Sequence, residues 1–176
     1  MSTPLLLSYQ ITNPKAWEIL KIDLILLTNL TNIVRKELEL CEVPLEISVL
    51  FTDDDTLRGY NRTYRGKDHA TNVLAFPSYR REEVLPLLKK GSLEPLILGD
   101  IAIAFETLER EALSFQIPFE HHLIHLFFHG VLHLLGYDHE IEKEAEEMEK
   151  LEIRLLSQKS IPNPYKTWQN SFLFSE

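Results

Sequence analysis

HGVLHLLGYDH, residues His129 to His139, reads as the end of a helix, a sharp turn and a returning chain. His129 and His133 are four residues apart, so on a helix they face the same way, the second one turn beyond the first. Gly136 lets the chain leave the helix and turn back, which allows His139 to approach the pair from outside. Three neutral imidazoles around one point suit a divalent metal ion, and they leave a fourth position open to water, as catalytic zinc sites require. They also leave the ion's double positive charge unneutralised. Such an ion lowers the pKa of bound water to about 7 and polarises a phosphoryl or carbonyl oxygen. Imidazoles suit zinc, nickel, copper and iron, so these residues leave the metal's identity open.

The same spacing of three histidines occurs in zinc proteases of the H-E-x-x-H-x-x-G-x-x-H type, but the glutamate base of that pattern is here Gly130. Peptide hydrolysis needs a base beside the attacking water, and glycine offers none. Asp138 could stand in, although residues flanking a ligand in a turn often orient that ligand or cap backbone instead. His122 and His125 continue the helical stripe, since 122, 125, 129 and 133 step by three and four. The stripe could be an ordinary polar face, or His125 and His129 could be the ligand pair. The glycine and the third histidine favour His129, His133 and His139, with His122 and His125 left as supporting or surface residues.

The other elements follow from periodicity and punctuation. Leu5–Thr12 is expected to be a strand, and Asn13-Pro14 a helix start with Asn13 as N-cap. Apolar spacing from Leu24 to Leu40 predicts a long helix, and LEISVLFT (Leu45–Thr52) alternates as a strand. Asp53-Asp54-Asp55 offers a cap for a short helix reaching about Tyr64; without the Gly and Glu of an EF-hand loop, the triplet is a cap and not a calcium site. TNVLAFP predicts a strand closed by Pro77, and Ser78–Pro95 a loop with one helical turn at most. Leu96–Phe105 is strand-like. Helices are expected at about Glu106–Phe115, Phe119–Leu135 and Ile141–Leu156, and the tail from Ser160 packs irregularly. Residues 1–176 read as one domain, a small mixed sheet covered by helices.

Of the chain's 176 residues, 44% are hydrophobic and 26% charged, the balance of a globular chain. MSTPLLLSYQ lacks the basic region of a signal peptide, and no apolar run approaches the eighteen or so residues of a membrane span. The single cysteine, Cys41, has no internal disulfide partner; it reads as an inert buried thiol and fits a reducing cytoplasm. A net charge of −9 argues against loose binding to nucleic acid, but the charge is segregated. Thr56 to Arg81 holds six basic residues (Arg58, Arg62, Arg65, Lys67, Arg80, Arg81) against Asp68 alone, while Glu140 to Arg154 holds seven glutamates against three basic residues.

HGVLHLLGYDH, NRTYRGKDHATNVLAFP (Asn61–Pro77) and LGDIAIA (Leu98–Ala104) together resemble the bacterial YbeY family of metal-dependent endoribonucleases. The resemblance implies an α+β fold, a small, mostly antiparallel (mixed) sheet covered by about five helices, with the metal in a cleft. It implies one Zn²⁺ per chain on His129, His133 and His139, and a catalytic Arg65. The substrate implied is ribosomal RNA within the small subunit, cut during maturation of the 16S 3′ end and in ribosome quality control. Small-subunit ribosomal proteins and the GTPase Era are the implied partners, in the cytoplasm. Ala75 departs from the family, which often has serine there.

The chemistry agrees with this. Phosphodiester cleavage builds negative charge on phosphoryl oxygens, which a metal ion and an arginine fork stabilise. Arg62, Lys67 and Arg58 could extend the basic patch along an RNA backbone. Tyr64 and Tyr137 are candidates for base stacking or for cleft walls, and Asn72 and Asp100 for holding the cleft together. The general base is unassigned. Two other readings compete: a ribosome-assembly factor whose metal is structural, and a metallopeptidase, which lacks its base.

Overall fold

The computed structural model describes residues 5–12, 14–18, 23–40, 43–91 and 94–167. The strand order is β1 (Leu5–Ile11), β2 (Leu45–Thr52), β4 (Leu96–Ala104), β3 (Val73–Pro77). β1 pairs with β2 in parallel and β2 with β4 in parallel, while β3 runs antiparallel to β4. The fold is α+β with a mixed sheet, as expected, but the implied antiparallel majority is corrected: two of the three pairings are parallel. The cause lies in the element order. α1 (Pro14–Trp17) and α2 (Leu24–Glu37) separate β1 from β2, and β2 reaches β4 only after α3 (Asp54–Arg65), β3 and α4 (Arg81–Lys90). Long connections of this kind cross over and return the chain in the same direction.

Local chemistry sets the helix ends. The Asp23 side chain accepts from the Leu26 amide at 2.7 Å and starts α2, whose buried Leu27, Leu30, Thr31 and Val34 follow helical spacing. Asp53 does the same for α3, accepting from the Thr56 amide at 2.9 Å. Asp54 accepts from the Thr107 amide and hydroxyl at 3.0 and 2.7 Å, which ties α3 to α5 (Phe105–Phe115). Two carboxylates of the acidic triplet are thus used within the fold, as the capping reading expects.

The loop expected over Ser78–Pro95 is corrected as well. It contains the ten-residue helix α4, with Val84 and Leu88 buried one turn apart. Pro86 reads as a breaker, yet it lies on the exposed side, where water can satisfy the carbonyl left without its helical donor. The described residues hold eight helical segments, two of them four-residue turns, so helical cover exceeds the five expected. One of those turns, α8 (Pro164–Thr167), lies in the tail expected to be irregular. Asn13 and Cys41 fall outside the described residues.

The main core lies on one face of the sheet. Leu45, Ile47, Val49 and Phe51 from β2 and Leu98, Ile101 and Ile103 from β4 pack there against α2, α6 (Phe119–Leu134) and α7 (Glu142–Ser157). α6 is the central helix, apolar on nearly every side, as burial all round demands. A smaller cluster of Leu57, Leu74, Ala102 and Ala104 joins α3 to the other face. No helix among the described residues is long and apolar enough to cross a membrane.

Candidate metal centre and cleft

The C-terminal end of α6 carries His129 and His133, and their Nε2 atoms stand 3.0 Å apart. Gly136 ends the helix run with φ of 82°, and a Cβ there would lie 2.5 Å from the Arg81 Cα, so both the conformation and the close approach of α4 require glycine. The turn brings back His139, whose ring centroid is 5.4 Å from that of His129 and 5.1 Å from that of His133. One nitrogen from each of the three rings lies within 4.8 Å of the others. Burial lowers the pKa of His133 to about 3, and the neighbouring His129 and His139 push the same way. Its imidazole is therefore neutral at pH 7, as a metal ligand must be.

The second half of the site comes from α7. Glu152, 1% exposed, holds a carboxylate oxygen 2.7 Å from Nδ1 of His129. Burial alone would push this carboxyl up, but the charge and hydrogen bonding of His129 and His125 outweigh it and hold Glu152 well below the usual carboxylate range. An ionised carboxylate only accepts, so the His129 proton sits on Nδ1 and its Nε2 lone pair turns towards the other ligands. The fit of these residues to a divalent ion rests on that arrangement: converging imidazole nitrogens with one ring locked from behind.

Around the histidines lies a cleft of about 1440 Å³. Its lining also includes Arg65, the last residue of α3, with Lys67, His69 and the β3 residue Ala75. Four cations of the basic window are already partnered: Arg58 bidentately by Asp68 at 2.8 and 3.2 Å, Arg62 by the same carboxylate at 4.0 Å, Arg80 by Glu83 and Arg81 by Glu147. Among the described residues of that window, Arg65 and Lys67 have no ion pair, and both border the cleft. Arg58 and Arg62 do not border it.

Comparison with known proteins gives the family of the chain. A family model described as Endoribonuclease YbeY matches residues 15–160. The chain belongs to the YbeY endoribonuclease family. An endoribonuclease YbeY of Agrobacterium fabrum is 50% identical over 124 residues, 70% of this chain and 70% of that one. One of Rhodopseudomonas palustris is 53% identical over 120 residues, 68% of this chain but only 60% of its relative's length. The solution structure of TM1509 from Thermotoga maritima covers 98% of this chain and 99% of that chain, with 22% identity and a TM-score of 0.49.

In this YbeY-family chain several sequence expectations land elsewhere. Of the two places expected for His122 and His125, supporting or surface, burial excludes the surface: both are fully buried, and His125 lies 3.5 Å from Glu152. His122 Nε2 lies 2.7 Å from Glu111, which also accepts from the Asn72 side chain at 2.9 and 3.2 Å, so Asn72 ties β3 to α5 beside the cleft. Asp100 does not hold the cleft together: it lines a hollow on the opposite side of the sheet, with Tyr60, Tyr64 and Phe76. Tyr64, 67% exposed, stacks edge-on against Phe76 there and is absent from the histidine cleft. Tyr137 is a cleft-wall residue under Arg81, whose guanidinium carbon is 5.1 Å from the ring centre. Asp138 accepts from the His139 amide at 2.8 Å, shaping the turn. A Cβ on Gly130 would lie 3.0 Å from the Ile101 side chain, so a side chain there would start towards the sheet, while the glycine itself borders the cleft.

Sequence reasoning missed Glu152 and Tyr165. Glu152 hides among the six glutamates of α7, but one signal was present: it sits on the apolar face made by Met148, Leu151 and Leu155, where a carboxylate needs a partner. Tyr165, in α8, donates its hydroxyl to Glu152 and borders the cleft.

Proposed function

We propose that this chain is a metal-dependent single-strand endoribonuclease, one domain over residues 1–176, that acts on 16S rRNA at its 3′ end and in ribosome quality control. His129, His133 and His139 hold one Zn²⁺, and Arg65 is the catalytic cation. The observation that carries this reading is the pairing of three converging imidazoles with the unpaired Arg65 and Lys67 across one cleft. The bound ion supplies Lewis acidity to the phosphoryl oxygens. Arg65 offers a planar fork of N–H donors that pairs with two phosphate oxygens, and it meets the charge that grows there as the bond breaks. Lys67 binds a neighbouring phosphate as a point charge. Arg62 has a lesser role, since Asp68 already draws on it.

A peptidase reading lacks support, because Gly130 is crowded against Ile101 and Asp138 is engaged by the turn. Net charge −9, with most of the basic window neutralised internally, supports substrate choice through a partner: rRNA within the small subunit, its ribosomal proteins, or the GTPase Era, in the cytoplasm. The same acidity favours the assembly-factor reading, and the variants His133→Ala and Arg65→Ala together separate the two.

The test pairs metal content by mass spectrometry with cleavage of a labelled rRNA 3′-end fragment. Wild type should hold about one zinc per chain and cut. His133→Ala should lose both, and Arg65→Ala should keep zinc while its turnover falls by about 10²–10³-fold, the usual effect of removing one transition-state donor. Undiminished cleavage by Arg65→Ala alone would remove Arg65 from the chemistry; undiminished cleavage by both variants would mark the activity as a contaminant and favour the assembly factor.

A further inference from the structure

We propose that Glu152 and Tyr165 act as a positioning pair for the metal centre, through which the C-terminal turn α8, beyond the family-matched stretch, holds His129 in its ligating orientation. The inference rests on the metal reading of the three histidines. Glu152 is 1% exposed, and a buried carboxylate is tolerable only when its oxygens are satisfied. Its two oxygens are divided between two tasks. Oε1 takes the Nδ1–H of His129 at 2.7 Å, with His125 Nε2 further off at 3.5 Å, while Oε2 takes the Tyr165 hydroxyl. The carboxylate is thereby held at both oxygens, and its rotation is coupled to both rings.

Tyr165 is itself well placed to act as a fixed strut. Ile161, 4% exposed, joins the main core and anchors the short segment leading to the tyrosine, and the Tyr165 amide donates to the Asn163 side chain at 2.9 Å, which fixes the local turn. Its ring also meets His125 edge-on at 6.2 Å. The family match ends at residue 160, so Tyr165 adds support from chain that the match does not include. Partners behind a ligating histidine typically change metal affinity by 10- to 100-fold when removed, because they fix the tautomer and the ring angle.

The experiment measures the zinc dissociation constant by competition with a chelator for wild type, Glu152→Gln, Tyr165→Phe and the double variant, together with the His129 tautomer by ¹⁵N NMR of the metal-free proteins. Glu152→Gln should weaken zinc by about 10- to 100-fold and mix the His129 tautomers. Tyr165→Phe, which removes one hydroxyl, should weaken zinc by several-fold. The double variant should be no worse than Glu152→Gln, since the tyrosine acts through the carboxylate. If Glu152→Gln fails to fold, Tyr165→Phe decides alone. Dissociation constants within twofold of wild type, or a lowered Tm of the metal-free variant with zinc affinity unchanged, would overturn the proposal. Wild type that binds no zinc would overturn the metal reading itself and this inference with it.

Discussion

On the α6–α7 side of the cleft, the buried Glu152 and the half-buried His129 and His133 lie within hydrogen-bond distance of one another; on α3 and the loop after it, Arg65 and Lys67 are exposed and have no carboxylate partner among the described residues. The same chain neutralises Arg58, Arg80 and Arg81 with nearby acids. The buried wall fixes geometry by bonding its polar groups to one another. The exposed wall keeps its donors uncommitted, so that an anion entering the cleft displaces only water. A site for a phosphodiester needs both behaviours, and the fold separates them on different elements.

That separation can be broken most severely at Gly130. A side chain at this position meets the Ile101 side chain at its Cβ, so Gly130→Glu should destabilise the protein by about 1–3 kcal/mol through overpacking. Thermal unfolding should show a Tm lowered by roughly 2–4 °C for each kcal/mol, with no gain of peptidase activity. A folded, near-wild-type variant would mean that the buried wall is looser than its packing indicates.

Acid should expose the same wall more gently. His133 titrates near 3 in the folded chain, against 6.5 for an ordinary histidine. Between those values the unfolded chain takes up a proton that the folded one refuses. Stability of the metal-free protein should therefore be intact above pH 6.5 and fall as pH drops towards 3, by at most about 1.4 kcal/mol per unit from this group. Urea unfolding at pH 7, 6 and 5 reads it in a range where most carboxylates stay ionised.

The exposed wall should respond only in function. Lys67→Ala should reduce RNA cleavage by roughly tenfold with Tm unchanged, in keeping with one lost phosphate contact. Arg58→Ala, whose guanidinium Asp68 already holds, should leave cleavage as it was. Equal losses in the two variants would erase the distinction between committed and uncommitted cations.

Much of this was legible in the chain. The i, i+4 histidines, the left-handed Gly136 and the returning His139 are local in sequence, and local spacing predicts local geometry. β2 was bounded correctly by alternation, and α3 by its capping aspartate. What escaped depends on distant partners. Sheet direction follows from crossover connections, α4 from burial that overrides Pro86, and the Glu152–Tyr165 support from two elements that meet His129 only in the folded state. Nor does the sequence of the basic window show which cations Asp68, Glu83 and Glu147 neutralise.

The compactness of HGVLHLLGYDH also bears on how the chain reaches its native state. All three histidines fall within eleven residues, whereas β1 must find β2 across 40 positions, Leu5 opposite Leu45. Closing the shorter loop costs less chain entropy by about 1.2 kcal/mol, roughly two doublings of length. A cation present during folding can therefore staple α6 to its turn before the parallel strands meet, so zinc should accelerate refolding as well as stabilise the product.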